Sequence, residues 1–202
     1  KDRIDVNSVM TRKDGTIMSK KIIILNGSPR SNGNTSALIE QFTKGAEQNG
    51  HQVIRFDLQK MNIHPCLGCC KGGKDPASPC VQKDDMLKIY PHYIEADLVV
   101  LASPMYYWSI SGQLKTAFDR LFAVAECNPS YANPVKDCVL LMAAEGDSEE
   151  NFEPVAHFYH ALLNNLGWKD RGIVYAGGNM DAGSILQKPE QLKAAFDLGA
   201  SL

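Results

Sequence analysis

The sequence predicts an α/β protein built on a doubly wound, five-stranded parallel sheet with helices on both faces. Three observations favour this fold class. Short apolar runs alternate with stretches of helical periodicity along the chain. Most of these runs are unbroken by polar residues, as expected of strands that are buried on both faces. Each strand is followed by a helix, which implies right-handed crossover connections between parallel strands.

The predicted strands follow one another at regular intervals along the chain. The run Lys21–Asn26 is almost wholly apolar, whereas Gln52–Asp57 alternates between apolar and polar residues and is expected near a sheet edge. The five predicted strands are Lys21–Asn26, Gln52–Asp57, Asp97–Ser103, Asp137–Ala143 and Lys169–Ala176. Five strands in this length fit the flavodoxin-like arrangement better than the longer six-stranded dinucleotide-binding fold.

Five helices are predicted between and after these strands. The first places apolar residues on one face and ends at Gly50, which can adopt the left-handed conformation typical of a helix end. Its apolar residues are Leu38, Ile39, Phe42 and Ala46, and the later helices are Asp84–Glu95, Gly112–Ala125, Ser148–Leu166 and Gln187–Leu198. In such a sheet, ligands bind at the carboxyl ends of the strands, so the loops there should carry the function.

Length, composition and charge limit the possible functions. The 202 residues suit one core, so residues 21–202 are predicted to form a single domain. Residues 1–20 are expected to be a polar leader, either flexible or introduced by cloning, with Met18 as the natural start. This leader lacks the apolar stretch of a signal peptide, which predicts a cytoplasmic protein. A net charge of −2 predicts no nucleic-acid partner, and no apolar run is long enough to cross a membrane.

The loop after the first strand has the composition of an anion site. Two glycines allow close backbone approach to a ligand, hydroxyl groups can donate hydrogen bonds, and a following helix offers its N-terminal amides. The candidate binding residues are Ser28, Arg30, Asn32, Gly33, Asn34, Thr35 and Ser36. A P-loop is excluded because Asn34 stands where its lysine belongs, and the glycine spacing of the dinucleotide fingerprint is absent. We therefore expect a bound phosphate that is not cleaved, the alternative being a polar turn with a helix cap.

The loop after the third strand is unusually aromatic for a loop tip, since such tips are normally polar. Its candidate residues are Pro104, Met105, Tyr106, Tyr107 and Trp108, which together could cover the plane of a flat aromatic cofactor. Packing on the neighbouring helix or in a subunit interface is the alternative. The loop after the fourth strand should supply a third wall, where the small residues Ala144 and Gly146 would allow close approach to a ring.

Two segments resemble a known family. The stretch NGSPRSNGNTSAL and the stretch SPMYYWSISGQLKTAFDR are similar to those of flavodoxin-like NAD(P)H-dependent FMN reductases, which include the iron–sulfur flavoproteins. The resemblance extends from about Lys21 to about Tyr175. It implies FMN as cofactor, with its phosphate on the first loop and its isoalloxazine ring against Pro104–Trp108, and NADPH or NADH as reductant. It further implies a homodimer or homotetramer, and a helix or dimer anchored by Lys115, Asp119 and Arg120.

A third segment is similar to the cysteine segment of the iron–sulfur members but departs from its cysteine spacing. These members carry C-x2-C-x2-C and a fourth cysteine shortly before a D-D-M stretch. Here Gly72 stands at the third position, and the other cysteines of the segment are Cys66, Cys69, Cys70 and Cys80. Because a cubane cluster needs four thiolates, we favour a cluster-free loop and predict no metal. A cluster, a zinc ion and a redox-active pair remain alternatives.

These observations predict an FMN-dependent oxidoreductase that takes hydride from NAD(P)H and reduces a small acceptor such as a quinone, a nitro or azo compound, or flavin. The flavin carries the redox chemistry, so no catalytic side chain is named. The alternative is a non-enzymatic electron carrier of flavodoxin type, or an electron relay of the iron–sulfur flavoprotein type.

Overall fold

The computed structural model describes residues 19–202, so most of the predicted leader lies outside the described residues. Five strands form one parallel sheet in the order β2-β1-β3-β4-β5. The strands are β1 (Lys21–Asn26), β2 (Gln52–Asp57), β3 (Leu98–Pro104), β4 (Asp137–Ala143) and β5 (Lys169–Ala176). This is the flavodoxin-like strand order, and it confirms the predicted fold class.

Four strands have the predicted bounds, and β3 is shifted by one residue. Asp97 is excluded from β3 because its carboxylate accepts a hydrogen bond from the amide of Lys21 at 2.8 Å. At the other end, Pro104 pairs with Ala143, and the Met105 amide donates to the Ala143 carbonyl at 2.8 Å. The strand therefore reaches further toward the carboxyl edge of the sheet, where the candidate site was expected.

Helices cover both faces of the sheet. They are α1 (Asn34–Gln48), α2 (Met86–Glu95), α3 (Gly112–Arg120), α4 (Phe122–Ala125), α5 (Glu149–Leu166) and α6 (Pro189–Ala200), with short 3-10 turns at Leu58–Lys60 and Ser184–Gln187. The predicted helix Gly112–Ala125 is divided at Leu121, whose amide donates to the Phe118 carbonyl in a tighter turn. The last helix begins two residues later than predicted, because Pro189 favours the first helical position.

Two apolar layers enclose the sheet. One face packs against α2, α3 and α5, and the other packs against α1 and α6. The contact between α1 and α6 is backbone to backbone. A methyl group added at Gly45 would clash with the Phe196 carbonyl, and one added at Gly199 would clash with the Phe42 carbonyl. These two glycines therefore set how closely the helices approach. Among residues 19–202, no helix has the length and apolar character needed to cross a membrane.

Candidate functional site

The first loop, residues 27–33 between β1 and α1, is held by hydrogen bonds from the strand ends. The Asn26 side chain accepts from the Ser28 amide at 3.1 Å and donates to the Asp57 carboxylate at 2.9 Å. Asn26 and Asp57 are the last residues of neighbouring strands, so the sheet register brings them together. This network fixes the backbone at the point where the chain leaves the sheet.

Asp57 is held ionised at the base of this network. Burial would raise the pKa of its carboxyl, but hydrogen bonds from Asn26, Lys60 and Arg55 outweigh that effect and lower the pKa to about 2. Arg55 donates to Asp57 at 2.6 Å and to the Ser36 hydroxyl at 3.1 Å. The charged pair thus connects the end of β2 to the start of α1.

The N-terminus of α1 faces the cleft at the carboxyl edge of the sheet. Its N-cap residue, Gly33, has no side chain, and none of the described residues provides a side-chain cap. The first bond inside the helix runs from the Ala37 amide to the Gly33 carbonyl at 3.2 Å. The preceding amides of the first turn therefore remain as donors, and the helix dipole favours an anion in front of them.

The prediction for Asn34 concerned its backbone amide, and its side chain binds elsewhere. Its amide nitrogen donates to the Asn179 carbonyl at 3.2 Å and the Asp181 carbonyl at 2.8 Å, and its oxygen accepts from the Gly183 and Ile185 amides. The hydrogen-bonding groups of this side chain therefore hold the loop after β5 against α1. Only the backbone amide of Asn34 can serve a ligand.

Two adjoining cavities form the cleft. The first, of about 220 Å³, lies against the first loop, and the second, of about 270 Å³, lies against the aromatic residues. Both are lined by Met105, Tyr106, Ala144 and Glu145. A ligand with a phosphate at one end and a flat ring at the other would match this arrangement.

Residues 106–109 form a tight turn, here named the aromatic turn. The Tyr106 amide donates to the Ser109 carbonyl at 3.0 Å, and the Ser109 amide donates to the Tyr106 carbonyl at 3.1 Å. The two residues between them, Tyr107 and Trp108, have φ angles of 48° and 58°. Such left-handed conformations are unfavourable for bulky residues and favour glycine. Tyr107 is 95% exposed and Trp108 56% exposed, so their own chain hardly covers them.

The loop after β4, predicted to supply a third wall, lines both cavities. Its backbone is fixed by the Asn179 amide, which donates to the Ala144 carbonyl at 2.7 Å. Gly146 lies against the side chain of Asn151, whose nitrogen would be only 2.5 Å from an added methyl group. That nitrogen is buried and has no hydrogen-bond partner among the described residues. Other atoms of Asn151 line the second cavity.

One serine joins the first loop to the loop that carries the aromatic turn. The Ser111 hydroxyl donates to the Gly27 carbonyl at 2.7 Å, and the Ser111 amide donates to the Ser103 hydroxyl at 2.8 Å. A methyl group added at Gly27 would clash with the Ser111 hydroxyl and lie 2.7 Å from Leu114 Cβ. The absence of a side chain at Gly27 is thus a requirement of this junction.

Most of the predicted site residues lie around the cleft. Those that line it are Ser28, Arg30, Gly33, Asn34, Thr35, Pro104, Met105, Tyr106, Tyr107, Trp108, Ala144 and Gly146. Asn32 and Ser36 do not line it: Asn32 is exposed, and the Ser36 hydroxyl faces Arg55. Arg30 lines the cleft but donates to the Met180 carbonyl at 3.0 Å.

Five lining residues were not named as candidates: two lie beside the predicted third wall, one lies in α5, and two follow β5. They are Ala143, Glu145, Asn151, Asn179 and Met180. The signal that could have found two of them is positional, because Asn179 and Met180 follow the carboxyl end of a parallel strand. Contacts with α1, which is distant in sequence, bring the loop after β5 to the site. No local sequence pattern predicts such contacts.

The cysteine loop, residues 66–80, lies apart from the cleft. Its cysteines Cys66, Cys69, Cys70 and Cys80 line one small cavity of about 60 Å³ beside α3 and α4. Arg120, from α3, closes its inner side and donates to the Asp84 carboxylate at 3.1 Å and to the His64 carbonyl at 2.7 Å. Arg120 therefore anchors its helix, as expected.

A cavity of about 780 Å³, larger than either cavity of the cleft, adjoins the cleft beyond the loop after β4. Its floor is the stacked pair Phe152 and Tyr175, with ring centroids 4.4 Å apart. Five carboxylates line it, from Asp147, Glu149, Glu150, Glu153 and Glu190. So acidic a cavity repels a phosphate group, and size alone therefore does not identify the anion site.

Comparisons with known proteins agree with the geometry. Residues 20–179 match the family model described as NADPH-dependent FMN reductase. An iron–sulfur flavoprotein of Archaeoglobus fulgidus is 32% identical over 90% of this chain and 78% of its own. A Bacillus subtilis protein described as an NAD(P)H-dependent FMN-containing oxidoreductase is 26% identical over 88% of this chain and 96% of its own.

Among solved structures, an NAD(P)H:quinone oxidoreductase from Methanothermobacter marburgensis superimposes with a TM-score of 0.71. It is 22% identical, and the match covers 91% of this chain and 96% of that one. This likeness supports the fold. The family model covers well over half of the sequence and includes the first loop, the aromatic turn and the third wall. The chain belongs to the NADPH-dependent FMN reductase family, with FMN as cofactor and NAD(P)H as reductant.

Proposed function

We propose that this protein is an FMN-dependent oxidoreductase that takes hydride from NADH or NADPH and reduces a small acceptor, such as a quinone, a nitro or azo compound, or free flavin. One observation carries the proposal. The anion-binding N-terminus of α1 and the aromatic turn border adjoining cavities that share Met105, Tyr106, Ala144 and Glu145. When bound, FMN supplies the redox chemistry by accepting a hydride and delivering two electrons.

The residues present fit the phosphate end of FMN. The first turn of α1 offers amide donors without a competing side-chain cap, and it contains no acidic residue. Thr35 adds a hydroxyl that lines the cavity. The Ser28 hydroxyl lies 3.3 Å from both the amide and the carbonyl of Arg30, which shapes the loop around the anion. We therefore assign phosphate binding to the backbone amides first and to side chains second.

The residues of the second cavity fit the isoalloxazine ring. Met105 and Tyr106 offer an apolar and aromatic surface, and Ala144 and Gly146 allow close approach of the backbone on the other side. Asn151 also lines this cavity. The exposed faces of Tyr107 and Trp108 leave room for a nicotinamide or a flat acceptor to stack.

The decisive experiment is anaerobic reduction of the FMN-loaded protein followed by flavin absorbance. Mixing with NADH or NADPH should bleach the absorbance band of the bound flavin, and later addition of a quinone should restore it. Parallel reoxidation by nitro and azo compounds would rank the acceptors. If neither nucleotide bleaches bound FMN while dithionite does, the reductase proposal is wrong.

A second candidate is a non-enzymatic electron carrier, and the acidic cavity favours it. The five carboxylates beside the cleft would attract a basic protein partner, although the net charge of the chain is only −2. A carrier should exchange electrons with a partner protein in a salt-sensitive manner and remain unreduced by NAD(P)H. The same anaerobic mixing experiment therefore separates the two candidates.

We propose further that the protein is a homodimer or homotetramer, and that the second copy shares the aromatic turn. Tyr107 is 95% exposed, which is unusual for a large aromatic side chain in an isolated chain. Light scattering of the FMN-loaded protein should give at least twice the chain mass, and Tyr107→Glu should lower it. A monomer at all concentrations would remove this part of the proposal.

A further inference from the structure

The cysteine loop poses the question of what occupies its cavity. An iron–sulfur cluster of the cubane type needs four thiolate ligands. The chain is similar to iron–sulfur flavoproteins over most of its length, and four cysteines line this one cavity. Whether these residues fit a cluster can be tested on their surroundings, position by position.

The space that a side chain at position 72 would need is already filled. The resemblance places the third thiolate of the cluster motif at Gly72. A Cβ atom at that position would clash with the Glu126 carboxylate and lie 2.7 Å from the Pro79 carbonyl oxygen. Both distances are shorter than real Cβ contacts. Glu126, just after α4, therefore fills the place from which a cysteine side chain would start.

The neighbouring residue fixes this arrangement. The Gly73 amide donates to the Pro79 carbonyl at 2.8 Å, which closes the loop on itself. A Cβ atom at Gly73 would clash with the Glu126 carbonyl, and its φ of 74° favours glycine. The backbone of Glu126, and not only its flexible side chain, thus lies against this part of the loop.

The remaining candidate for the missing ligand is Cys70. It has a left-handed φ of 47°, and its sulfur lies 3.9 Å from the Gly68 carbonyl. The Cys66 sulfur accepts a bond from the Gly68 amide at 3.4 Å. Both thiols are thus directed to groups of the loop. Within residues 19–202, no three Cys, His, Asp or Glu side chains are arranged to share a metal ion.

The cavity beside these thiols is bordered by a buried arginine. Its volume of about 60 Å³ can hold a small number of ordered water molecules. Arg120, 1% exposed, borders it, and its Nε–H has no partner among the described residues.

We infer that in this chain the contact of Glu126 with Gly72 and Gly73 has replaced the third thiolate, so that the cysteine loop holds no four-thiolate cluster. The four cysteines then remain free thiols around this cavity. If the proposed function is right, FMN is the sole redox centre, and the electron acceptor must reach the flavin itself. This last step rests on the proposed function, whereas the inference about the loop does not.

The test is iron and acid-labile sulfide analysis of protein purified without air and then incubated with ferrous iron and sulfide under reducing conditions. The wild type should show the flavin bands and iron far below one cluster per FMN. Gly72→Cys combined with Glu126→Ala restores the thiolate and removes the carboxylate. This variant should rise toward four irons and four sulfides per chain.

Gly72→Ala combined with Glu126→Ala is the matched control, because it adds the same Cβ without a thiol, and it should stay free of iron. A wild type that takes up four irons and loses them on Cys70→Ser would overturn the inference. A folded, FMN-binding Gly72→Cys/Glu126→Ala variant that remains without iron would overturn the assignment of Gly72. Metal content is read independently of NAD(P)H oxidation, so either failure is distinct from failure of the proposed reductase.

Discussion

The two ends of the cleft are built in opposite ways. The first loop is buried where it leaves the sheet, at Gly27 and Ser28, and is held there by a hydrogen-bond network that reaches through Asn26 to the Asp57 carboxylate. The aromatic turn is exposed, and its two central residues have left-handed backbone conformations. The difference suggests that the phosphate end is organised before the cofactor arrives, whereas the ring end depends on its ligand or partner for cover. Four predictions test this comparison.

The largest effect is expected at the junction between the two ends. Gly27→Ala should destabilise the protein by about 2–3 kcal/mol, because its Cβ would clash with Ser111 and approach Leu114. The measurement is urea unfolding with and without FMN. Gly112→Ala is the control, since a methyl group there meets nothing within 4 Å. Equal stability of the two variants would contradict the close junction.

The next effect concerns the charged base of the first loop. The pKa of Asp57 is lowered to about 2 from its ordinary value near 3.9. Its contribution is therefore complete above about pH 4 and is lost as the pH falls through 2, on the order of 2 kcal/mol. Urea unfolding at several pH values should show this loss in the wild type. In Asp57→Asn the loss of unfolding free energy between pH 4 and pH 2 should be smaller than in the wild type. Equal losses in the two proteins would contradict the lowered pKa of Asp57.

A smaller effect is expected on cofactor affinity at the start of α1. Thr35→Ala should raise the Kd for FMN about tenfold, since a hydroxyl bonded to a charged phosphate contributes about 1.5 kcal/mol. Ser36→Ala is matched in chemistry, but that hydroxyl accepts from Arg55 and does not line the cleft. It should change the Kd less than about twofold. The Kd is measured by titrating each apoprotein with FMN and following the flavin fluorescence. Equal losses of affinity in the two variants would contradict the placement of Thr35 in the cleft.

The smallest effect is expected in the aromatic turn. Tyr107→Gly should stabilise the unliganded protein by about 0.5 kcal/mol, because it relieves a left-handed conformation at a small entropic cost. It should also weaken binding of the flavin or acceptor. Tyr131→Gly relieves a similar φ of 55° away from the cleft and should leave FMN affinity unchanged. A destabilised Tyr107→Gly protein would show that the turn is not strained.

Local patterns in the sequence predicted most of this fold. The strand bounds were accurate because buried parallel strands are marked by apolar runs, as in Lys21–Asn26. The first loop and the aromatic residues were found because they follow predicted strand ends. Ser36 and Asn34 show the limit. Both belong to the predicted loop, but their side chains are taken by Arg55 and by the loop after β5, which are distant in sequence.

The blocked position in the cysteine loop shows the same limit. The sequence places a glycine at position 72 but does not reveal what lies against it. Glu126 is more than fifty residues away, and only the tertiary structure brings it to the loop. Spacing of cysteines alone therefore predicted a departure from the cluster pattern without its physical cause.

The glycine contact between α1 and α6 has a consequence for biosynthesis. Helix α1 begins the cofactor site, but its partner Gly199 lies near the other end of the chain. The loop that Asn34 holds, at residues 179–185, is also made late. On the ribosome, the nascent chain must therefore wait for residues 179–200 to emerge before it can retain FMN. We expect cofactor loading to require synthesis of the chain through α6, which arrest of the nascent chain at defined lengths would show.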